Sequence, residues 1–534
     1  RVGQGSHGEG RPARRFRVVN KFFRSIRRIF ARRMTNPQPG RRFGVKARFD
    51  STQTDYENKN HWAAADSLGP NTANSTDVRN TLCRRARLER ENDPHVFGMT
   101  QIAAYNFVGT GPRLQLTLDT NLYEQTRKYE QLFAKWARAI NLAEKLRLMI
   151  EACPVDGETF GQLITNPFVD HPVKVDIKVM EQEQVATPGF AYLRINQLVD
   201  GLEIDQYGNV TAYHVLKEHP GDAVTWTMDY DTVPSRFMLH WFRAYRPGQE
   251  RGVSAFASTL ETCAVTRRYT KATLAKQEIN ANITGVIETD NVMAETGDAP
   301  NFKTMEEIDI PRRGLMTMPA GMTAKPFTSA ENTADYKQFV ASNHATVGRP
   351  IHLPRNLITG DSSDFNFASG RMDHLPYQSV VWIDRERARN RLLDKIHRVF
   401  YAAAKDANLV PAGLPPLRDW TMEWQWDGFP SIDQVKDTTA QENRLRLGLT
   451  TLAEECAAEG RDWRDVVRQR AIERKYLIEN GLDPDMGMGK TAPVVATKPA
   501  ANNDPNADPN DPNFGASDED TTLDLPNYGR YARV

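Results

Sequence analysis

The chain has 534 residues, with 69 Lys+Arg against 68 Asp+Glu and a formal net charge of +1. That balance argues against a highly charged nucleic-acid coat and against an acidic disordered protein, but it conceals a segregation. Residues 1–50 hold 15 Lys+Arg and 2 Asp+Glu, and the remaining residues have a net charge of −12. The length predicts three or four modules at about 150 residues per domain.

Charged residues at 26% and hydrophobic residues at 40% are ordinary globular values. No run of 18 apolar residues exists, so no membrane-spanning helix is predicted. The four cysteines lie far apart and form no CxxC pair. We therefore predict four reduced, mostly buried thiols, without a disulfide framework or a zinc site, in a protein made in a reducing cytoplasm.

The basic N-terminal arm, residues 1–50, begins with a Gly/Arg-rich stretch predicted to be disordered. Residues 16–34 then place apolar side chains at helical spacing among many arginines, which predicts a basic amphipathic helix. Three readings remain open for this helix: one apolar face docks on the body, or the helix contacts nucleic acid or a membrane surface. Its arginines are Arg24, Arg27, Arg28, Arg32 and Arg33.

The next part of the chain, up to residue 252, alternates helical and strand patterns. Residues 78–108 read as two helices broken at Asp93-Pro94, and residues 129–150 as one helix with an apolar stripe. Apolar and polar residues then alternate with a period of two, which predicts strands at 173–179, 223–226 and 237–242 and a hairpin over 202–216.

From residue 253 the helical period returns and nothing breaks it before about residue 282. A short β-like module follows, and a second helix is predicted over 333–347. Residues 359–371 (TGDSSDFNFASGR) read as a polar loop with two phenylalanines, followed by a basic helix over 377–407. Two or three helices are predicted over 433–479, and an Asn/Asp/Pro-rich acidic tail ends the sequence.

Catalytic signals are weak throughout. Gly489-Lys490-Thr491 resembles the end of a phosphate-binding loop, but Pro484 stands where that motif requires glycine. We find no HExxH or GxSxG motif, and His214, His219 and His240 are interpreted as satisfied or solvated histidines near strands. No cofactor, metal site or catalytic residue is predicted.

Several motifs, in order over residues 55–480, resemble the lambda family of tailed-phage portal proteins. Residues 82–92 (LCRRARLEREN) and 106–111 (NFVGTG) resemble one block, and Asp156-Gly157-Glu158 resembles the family's DGE. Residues 201–222 resemble a second block, and residues 240–254 (HWFRAYRPGQERGVS) give the sharpest match. The matching residues of this last motif are Arg246, Pro247, Gly248, Gln249, Arg251 and Gly252.

The resemblance implies an α+β fold and a ring-shaped homo-oligomer, usually of twelve subunits, at one capsid vertex. Twelve helices about 10 Å wide, side by side, would leave a bore of roughly 28 Å, enough to admit a duplex. By sequence order we expect a wing over 51–252, stem helices over 253–284 and 331–350, and a clip over 285–330. The tunnel-loop region would span 351–375, a tunnel or wing helix 376–410, the crown 411–480 and the tail 481–534.

The same resemblance implies roles for particular residues. The tunnel loop would face double-stranded DNA through Asp361, Ser362, Ser363, Asp364, Phe365, Asn366, Phe367 and Arg371. The stem would present Arg267, Arg268, Lys271 and Lys276 to it, with weak, non-specific phosphate contacts. Arg312 and Arg313 in the clip are predicted near the surface that binds the terminase large subunit or the head–tail adaptor.

The implied function is nucleation of shell assembly with the major capsid protein, terminase docking, and DNA packaging and ejection. The protein would reside in the virion, and in the host cytoplasm during assembly. Two alternatives stay open. One is a nucleic-acid- or membrane-binding scaffold driven by the basic arm. The other is a DNA-packaging enzyme, which would need a phosphate-binding loop or converging acids.

Overall fold

The computed structural model describes residues 60–118, 120–187, 197–222, 229–282, 286–289, 322–325, 333–363, 365–429 and 434–482. The predictions for residues 1–50, Asp364, Arg312 and Arg313 lie outside the described residues, as do those for the strand at 223–226 and the tail from residue 483. The chain divides into two units, Arg1–Ala73 and Asn74–Val534. All the contacts discussed below belong to the second unit.

Helices and strands alternate in the first half of the chain, and helices dominate the second. The helices are α1 (Pro70–Ala73), α2 (Thr76–Asn92), α3 (Pro94–Val108), α4 (Tyr123–Ala139), α5 (Leu142–Asp156), α6 (Leu260–Asn282), α7 (Thr333–Gly348), α8 (Arg355–Thr359), α9 (Phe367–Ala388), α10 (Asp394–Asp406), α11 (Gln434–Arg446), α12 (Leu452–Ala458) and α13 (Trp463–Glu479). The strands are β1 (Arg113–Thr117), β2 (Glu158–Thr165), β3 (Val175–Met180), β4 (Gln197–Val199), β5 (Leu202–Ile204), β6 (Val210–Leu216), β7 (Tyr230–Pro234), β8 (Met238–Phe242), β9 (Val286–Thr289), β10 (Met322–Lys325) and β11 (Thr421–Gln425).

All strand pairs in the described residues are antiparallel. A three-stranded sheet has the order β3-β2-β8, and a four-stranded meander runs β4-β5-β6-β7. The predicted hairpin is confirmed: Gly208 adopts φ +86° in its turn, and the Asp205 carboxylate accepts the N–H groups of Tyr207 and Asn209 at 2.9 and 2.8 Å. Two further pairs, β1-β11 and β9-β10, complete the sheets.

The main core is built around aromatic rings from α4, α10 and β11. Phe133 and Phe400 lie 5.1 Å apart between ring centroids, and Tyr129 lies 4.9 Å from Trp420. Since β11 pairs with β1 and places Trp424 against Phe133, the Trp-rich stretch belongs to this core. A smaller core lies between the two sheets and includes Phe160, Met180, Leu202, Ile204, Tyr213, Val215, Val233 and Met238.

Two of the predicted helix boundaries are wrong for local reasons. The helix expected over 129–150 is two helices, because Asn141 adopts a left-handed conformation, φ 53°. The helix expected from residue 253 begins at Leu260, after a 3₁₀ turn over Ala255–Ser258. The break at Asp93-Pro94, strand β8 and the helices over 433–479 are confirmed.

The polar loop expected over 359–371 is also shorter than predicted. Helix α9 begins at Phe367, ten residues before the expected start, because Asn366 and Ser369 form a reciprocal capping box. Pro376 lies inside this helix, although it removes one backbone hydrogen bond there. All four cysteines are free and buried, as predicted. Among the described residues, no helix combines the length and the apolarity that crossing a bilayer requires.

Candidate functional site

A buried charged junction is made of Arg79, Glu158, Asp200, His240 and Arg251. Glu158 is fully buried at the start of β2. Its Oε1 accepts from Arg79 Nη1 at 2.8 Å and Arg251 Nε at 2.7 Å. Its Oε2 accepts from the Gly252 backbone N–H at 2.8 Å and lies 2.8 Å from His240 Nε2. One carboxylate therefore joins α2, β2, β8 and the segment that leads into α6.

Burial opposes the ionisation of Glu158, but Arg251, His240 and Arg79 outweigh it and hold the pKa of Glu158 below its usual range. Burial lowers the pKa of His240 to about 4 despite the neighbouring Glu158, so this histidine is neutral at pH 7. Burial also lowers the pKa of Arg79, to about 10, which leaves it charged. The junction thus combines two arginines, a neutral histidine and the carboxylates of Glu158 and Asp200.

The RPGQERG motif forms the turn that delivers Arg251 to this junction. Gln249 Oε1 accepts the backbone N–H groups of Tyr245 and Arg246, and its Nε2 donates to the Arg251 carbonyl at 2.8 Å. Gly252 lies so close to Gly157 that a Cβ there would fall 2.2 Å from the Gly157 oxygen. Arg246, Pro247 and Gly248 are exposed on the turn, whereas Gln249, Arg251 and Gly252 are buried. The motif therefore has a structural role at the entry to α6.

A second ionic cluster lies beside the junction. Arg87 donates to both carboxylate oxygens of Asp156, at 2.8 and 2.9 Å, and contacts Glu181 and Glu183 at 2.9 and 3.2 Å. His219 Nε2 lies 3.2 Å from Glu181, which makes these two glutamates and His219 a possible set of metal ligands.

The contacts of that set argue for a structural role. The Gly221 N–H donates to His219 Nδ1 at 3.0 Å, so the ring proton is placed on Nε2, towards Glu181. Arg87 is the common partner of Asp156 and both glutamates, so these carboxylates belong to one ionic network that links α2, the end of α5 and the turn after β3. The buried His240 is satisfied, as predicted, because its Nε2 lies 2.8 Å from Glu158 Oε2. The buried His214 lies 3.3 Å from Thr232 Oγ1 and 3.0 Å from Glu203 Oε1.

The predicted basic residues of α6 fall into two groups. Arg267 donates to both oxygens of Glu89 on α2, at 3.0 and 2.8 Å, and is held there. Arg268, Lys271 and Lys276 are exposed. Near the C-terminal end of α7, His344 Nε2 lies 3.3 Å from Asp93, at the break between α2 and α3. The first half of α6 lies beside the same break, because Arg267 pairs with Glu89. The two helices therefore run in opposite directions. Between the two helices, Tyr269 stacks on Tyr336 at 5.9 Å and meets Phe339 edge to face at 5.0 Å.

The loop between α8 and α9 is attached to α7. Asp361 accepts the Ser363 N–H at 2.9 Å and pairs with Lys337 Nζ at 2.9 Å. Hydrogen bonds from Ser363 and the contact with Lys337 hold the pKa of Asp361 below its usual range. Ser362 and Asn366 are exposed, and Phe365 is half-buried with its N–H donating to the Ser362 carbonyl at 3.1 Å.

Phe367 and Arg371 were expected in this loop, but both belong to the first turns of α9 because of the capping box. Arg371 is exposed, and its Nη2 lies 3.4 Å from Asp437 on α11. It therefore connects α9 to the C-terminal helices.

Most of the cations predicted on the long basic helix point inward. Arg385 donates to the carbonyls of Asn106 and Phe107 at 3.0 and 2.9 Å, and Lys395 donates to the Met238 carbonyl at 3.1 Å. Arg391 donates to the Phe242 carbonyl at 3.3 Å and lies over its ring. Nothing in the sequence indicated these inward contacts or the buried position of Arg79. For the junction, the match of Glu158 to the DGE motif was an indication that this residue matters.

Comparison with known proteins identifies the class. The family model described as "Phage portal protein, lambda family" matches residues 57–382. A "Probable portal protein" of Halomonas phage phiHAP-1 is 22% identical over 434 residues, which cover 76% of this chain and 82% of that protein.

Among solved structures, the chain is similar to chains from gene transfer agent particles. The chain of "Neck of native GTA particle computed with C12 symmetry" is 14% identical, with a TM-score of 0.39, and the match covers 69% of this chain and 90% of that one. The chain of "Virion of native gene transfer agent (GTA) particle" is 14% identical with a TM-score of 0.38, covering 72% and 93%.

A family model that spans more than half of the chain, with the DGE and RPGQERG motifs joined in one buried junction, defines a phage portal protein, a structural component of the virion. The chain belongs to the lambda family of phage portal proteins.

Proposed function

We propose that twelve copies of the chain form a ring at one capsid vertex through which double-stranded DNA enters and leaves. The observation that supports this best is the antiparallel α6–α7 pair, which starts beside the charged junction; in the chain, β9 and β10 come between these two helices. The 23 residues of α6 give a length of about 35 Å at 1.5 Å per residue. An antiparallel pair of this kind, repeated around a ring, would line a channel.

We propose a division of the chain into stem, clip, tunnel loop and crown. Helices α6 and α7 would be the stem, the β9–β10 pair part of the clip, and residues 360–366 the tunnel loop. We move the start of the crown from residue 411 to residue 434, since β11 pairs with β1 and belongs to the main core. The crown would then consist of α11, α12 and α13.

The proposed DNA-facing cations of the stem are Arg268, Lys271 and Lys276. Arg267 is set aside, because its guanidinium is already engaged by Glu89. A ring repeats each exposed cation once per subunit, so a few side chains create full circles of positive charge. Weak phosphate contacts of this kind allow DNA to slide, whereas base-specific contacts would stop it.

Partner binding is proposed at the two ends of the ring. The clip, with Arg312 and Arg313, would bind the terminase large subunit during packaging and the head–tail adaptor afterwards. The wing and the basic arm would contact the major capsid protein or DNA during assembly in the host cytoplasm. A catalytic role is not proposed.

Electron microscopy of the purified full chain tests the ring, and packaging assays test the stem. Rings with a bore wide enough for a duplex are expected, and a chain that stays monomeric under all conditions would contradict the proposal. The pair Arg268→Glu and Lys271→Glu should leave the ring intact and impair packaging. The matched control, Arg418→Glu with Arg461→Glu at exposed positions outside the proposed wing, stem and clip, should package normally.

A further inference from the structure

A groove lies between α13 and the β1–α4 connection. Its volume is about 610 Å³, within the range that takes a small ligand or a short peptide. Leu116 and Leu118 line it from one side, and Val467 and Ala471 of α13 from the other. An apolar groove of this size on the surface is a candidate docking site.

The groove is also cationic. The Arg464 guanidinium lies over the rings of Tyr123 and Trp463, at 5.8 and 5.9 Å, and its Nη1 is 3.4 Å from the Leu116 carbonyl oxygen. Arg468, exposed on the same wall, makes no ion pair among the described residues. Glu124 is the one carboxylate in this lining. The groove therefore favours an occupant that combines carboxylates with apolar side chains.

The positive face continues along α13 towards its end. Arg474 and Lys475 follow Arg468 and Ala471 at helical spacing, and both are exposed. Lys475 Nζ lies 3.7 Å from Glu479. A basic stripe thus leads from the groove to the point where the chain leaves α13.

The chain itself supplies a matching segment after that point. Residues 504–524, the acidic tail segment, contain seven Asp+Glu and no Lys or Arg, together with Phe514 and Leu523. From residue 482 back to Val467 the distance is about 22 Å at the helical rise. The acidic tail segment follows after 21 residues, and a random-coil chain of that length has a root-mean-square span of roughly 25 Å. Such a match gives the segment an effective concentration in the millimolar range at the groove.

We propose that the acidic tail segment of each subunit docks on its own α13 groove, with its carboxylates on Arg464, Arg468 and the stripe beyond. The contact covers cations that would otherwise be open to nucleic-acid phosphates. A second copy of the chain would also bury apolar surface there, but the charge match and the tether length favour the tail. The inference does not depend on the portal role.

Carbodiimide cross-linking of the full chain, followed by peptide mass spectrometry, tests the proposal. This reagent joins a lysine amine to a carboxylate in contact with it, so Lys475 should couple to carboxylates of residues 504–524 at low salt. The Lys475–Glu479 cross-link serves as an internal reference, since that pair is adjacent in α13. High salt should abolish the tail cross-links.

The variant pair Arg468→Glu and Arg474→Glu should reduce the tail cross-links about tenfold relative to the reference, because two ion pairs are lost and repulsion is added. The control pair Arg84→Glu and Arg85→Glu should leave them unchanged. Tail cross-links that are missing, or that survive the first pair, would overturn the proposal. The cross-linking is repeated on assemblies that mix isotope-labelled and unlabelled chains. Cross-links between a labelled and an unlabelled chain would show that the groove binds the tail of a neighbouring subunit, which would also overturn the proposal. Electron microscopy of the same samples reports ring formation separately.

Discussion

Glu158 shows how one residue can organise a large part of this molecule. Its carboxylate receives two arginines, a histidine and a backbone N–H from three separate parts of the chain. Removing one partner of a buried ion pair leaves the others without compensation, which costs far more than the net value of the pair. At this site the loss would extend from the smaller core to the start of α6.

We therefore expect Glu158→Gln to lower the free energy of unfolding by about 3–5 kcal/mol, because the buried Arg79 and Arg251 would then share only the carboxylate of Asp200. Chemical denaturation followed by circular dichroism measures the change. The control is Glu386→Gln, where the exposed carboxylate pairs with Arg389 at 3.5 Å and should matter little. Equal stability of the two variants would refute the role assigned to the junction.

The buried His397 should make the stability of the main core sensitive to acid. It is fully buried with its Nε2 2.9 Å from Tyr129 Oη, and burial lowers its pKa from 6.5 to about 4. The unfolded chain binds a proton at pH values where the folded chain does not. The stability is therefore complete above about pH 6.5 and decreases as the pH falls towards 4.

The expected slope is about 1.4 kcal/mol per pH unit between pH 6 and 4 for His397, and His240 adds to it. His397→Gln should flatten this dependence by about one proton, whatever its effect on stability at pH 7. Denaturation midpoints measured at several pH values give the slope. An unchanged slope would show that His397 does not titrate in this window.

At the scale of elements, close backbone contacts determine where helices and strands meet. The end of α5, Gly157 and the segment before α6 pass within contact distance of one another, and Gly252 leaves no room for a side chain. Gly370 in α9 lies in open space instead, because a Cβ added there would have no heavy atom within 4 Å.

Gly252→Ala and Gly370→Ala form a matched pair. The first should destabilise the protein by about 3 kcal/mol, because the new methyl group would press on the Gly157 carbonyl and force the junction apart. The second should be neutral or stabilise α9 by up to about 1 kcal/mol, since alanine favours a helix interior over glycine. Thermal unfolding of both variants tests the pair, and a Gly252→Ala protein as stable as the parent would contradict the packing described.

At the scale of the whole molecule, the near-zero net charge results from segments of opposite sign. The arm of residues 1–50 is strongly basic, and residues 504–524 contain only acidic charges. In a ring, each of these charges is repeated by every subunit. Segregated charge of this kind can hold DNA or capsid protein locally without a uniformly basic surface.

Deleting residues 1–34 should leave ring formation intact and impair DNA packaging or capsid joining. A finer variant replaces Arg24, Arg27, Arg28, Arg32 and Arg33 with glutamine, and its control replaces them with lysine, which keeps the positive charge. Only the glutamine variant should lose salt-sensitive DNA or capsid binding. Normal particles from the deletion would exclude a role for the arm, and loss of the ring would favour the scaffold alternative.

The sequence by itself determined the local features of this protein. Periodicity placed the α2–α3 break, the β5–β6 hairpin, β8 and the C-terminal helices, and the ordered motifs indicated the family. It misplaced boundaries that depend on one residue's conformation or cap, as at Asn141 and Asn366.

Only the tertiary structure decided what the charges do. Arg267 and Arg385 read alike in the sequence as basic residues on long helices, yet one pairs with Glu89 and the other donates to buried carbonyls. Glu158 meets Arg79 and Arg251, which are 79 and 93 residues away in the chain. Periodicity depends on near neighbours along the backbone, whereas the energy of a buried charge depends on partners that only the folded chain brings within 3 Å.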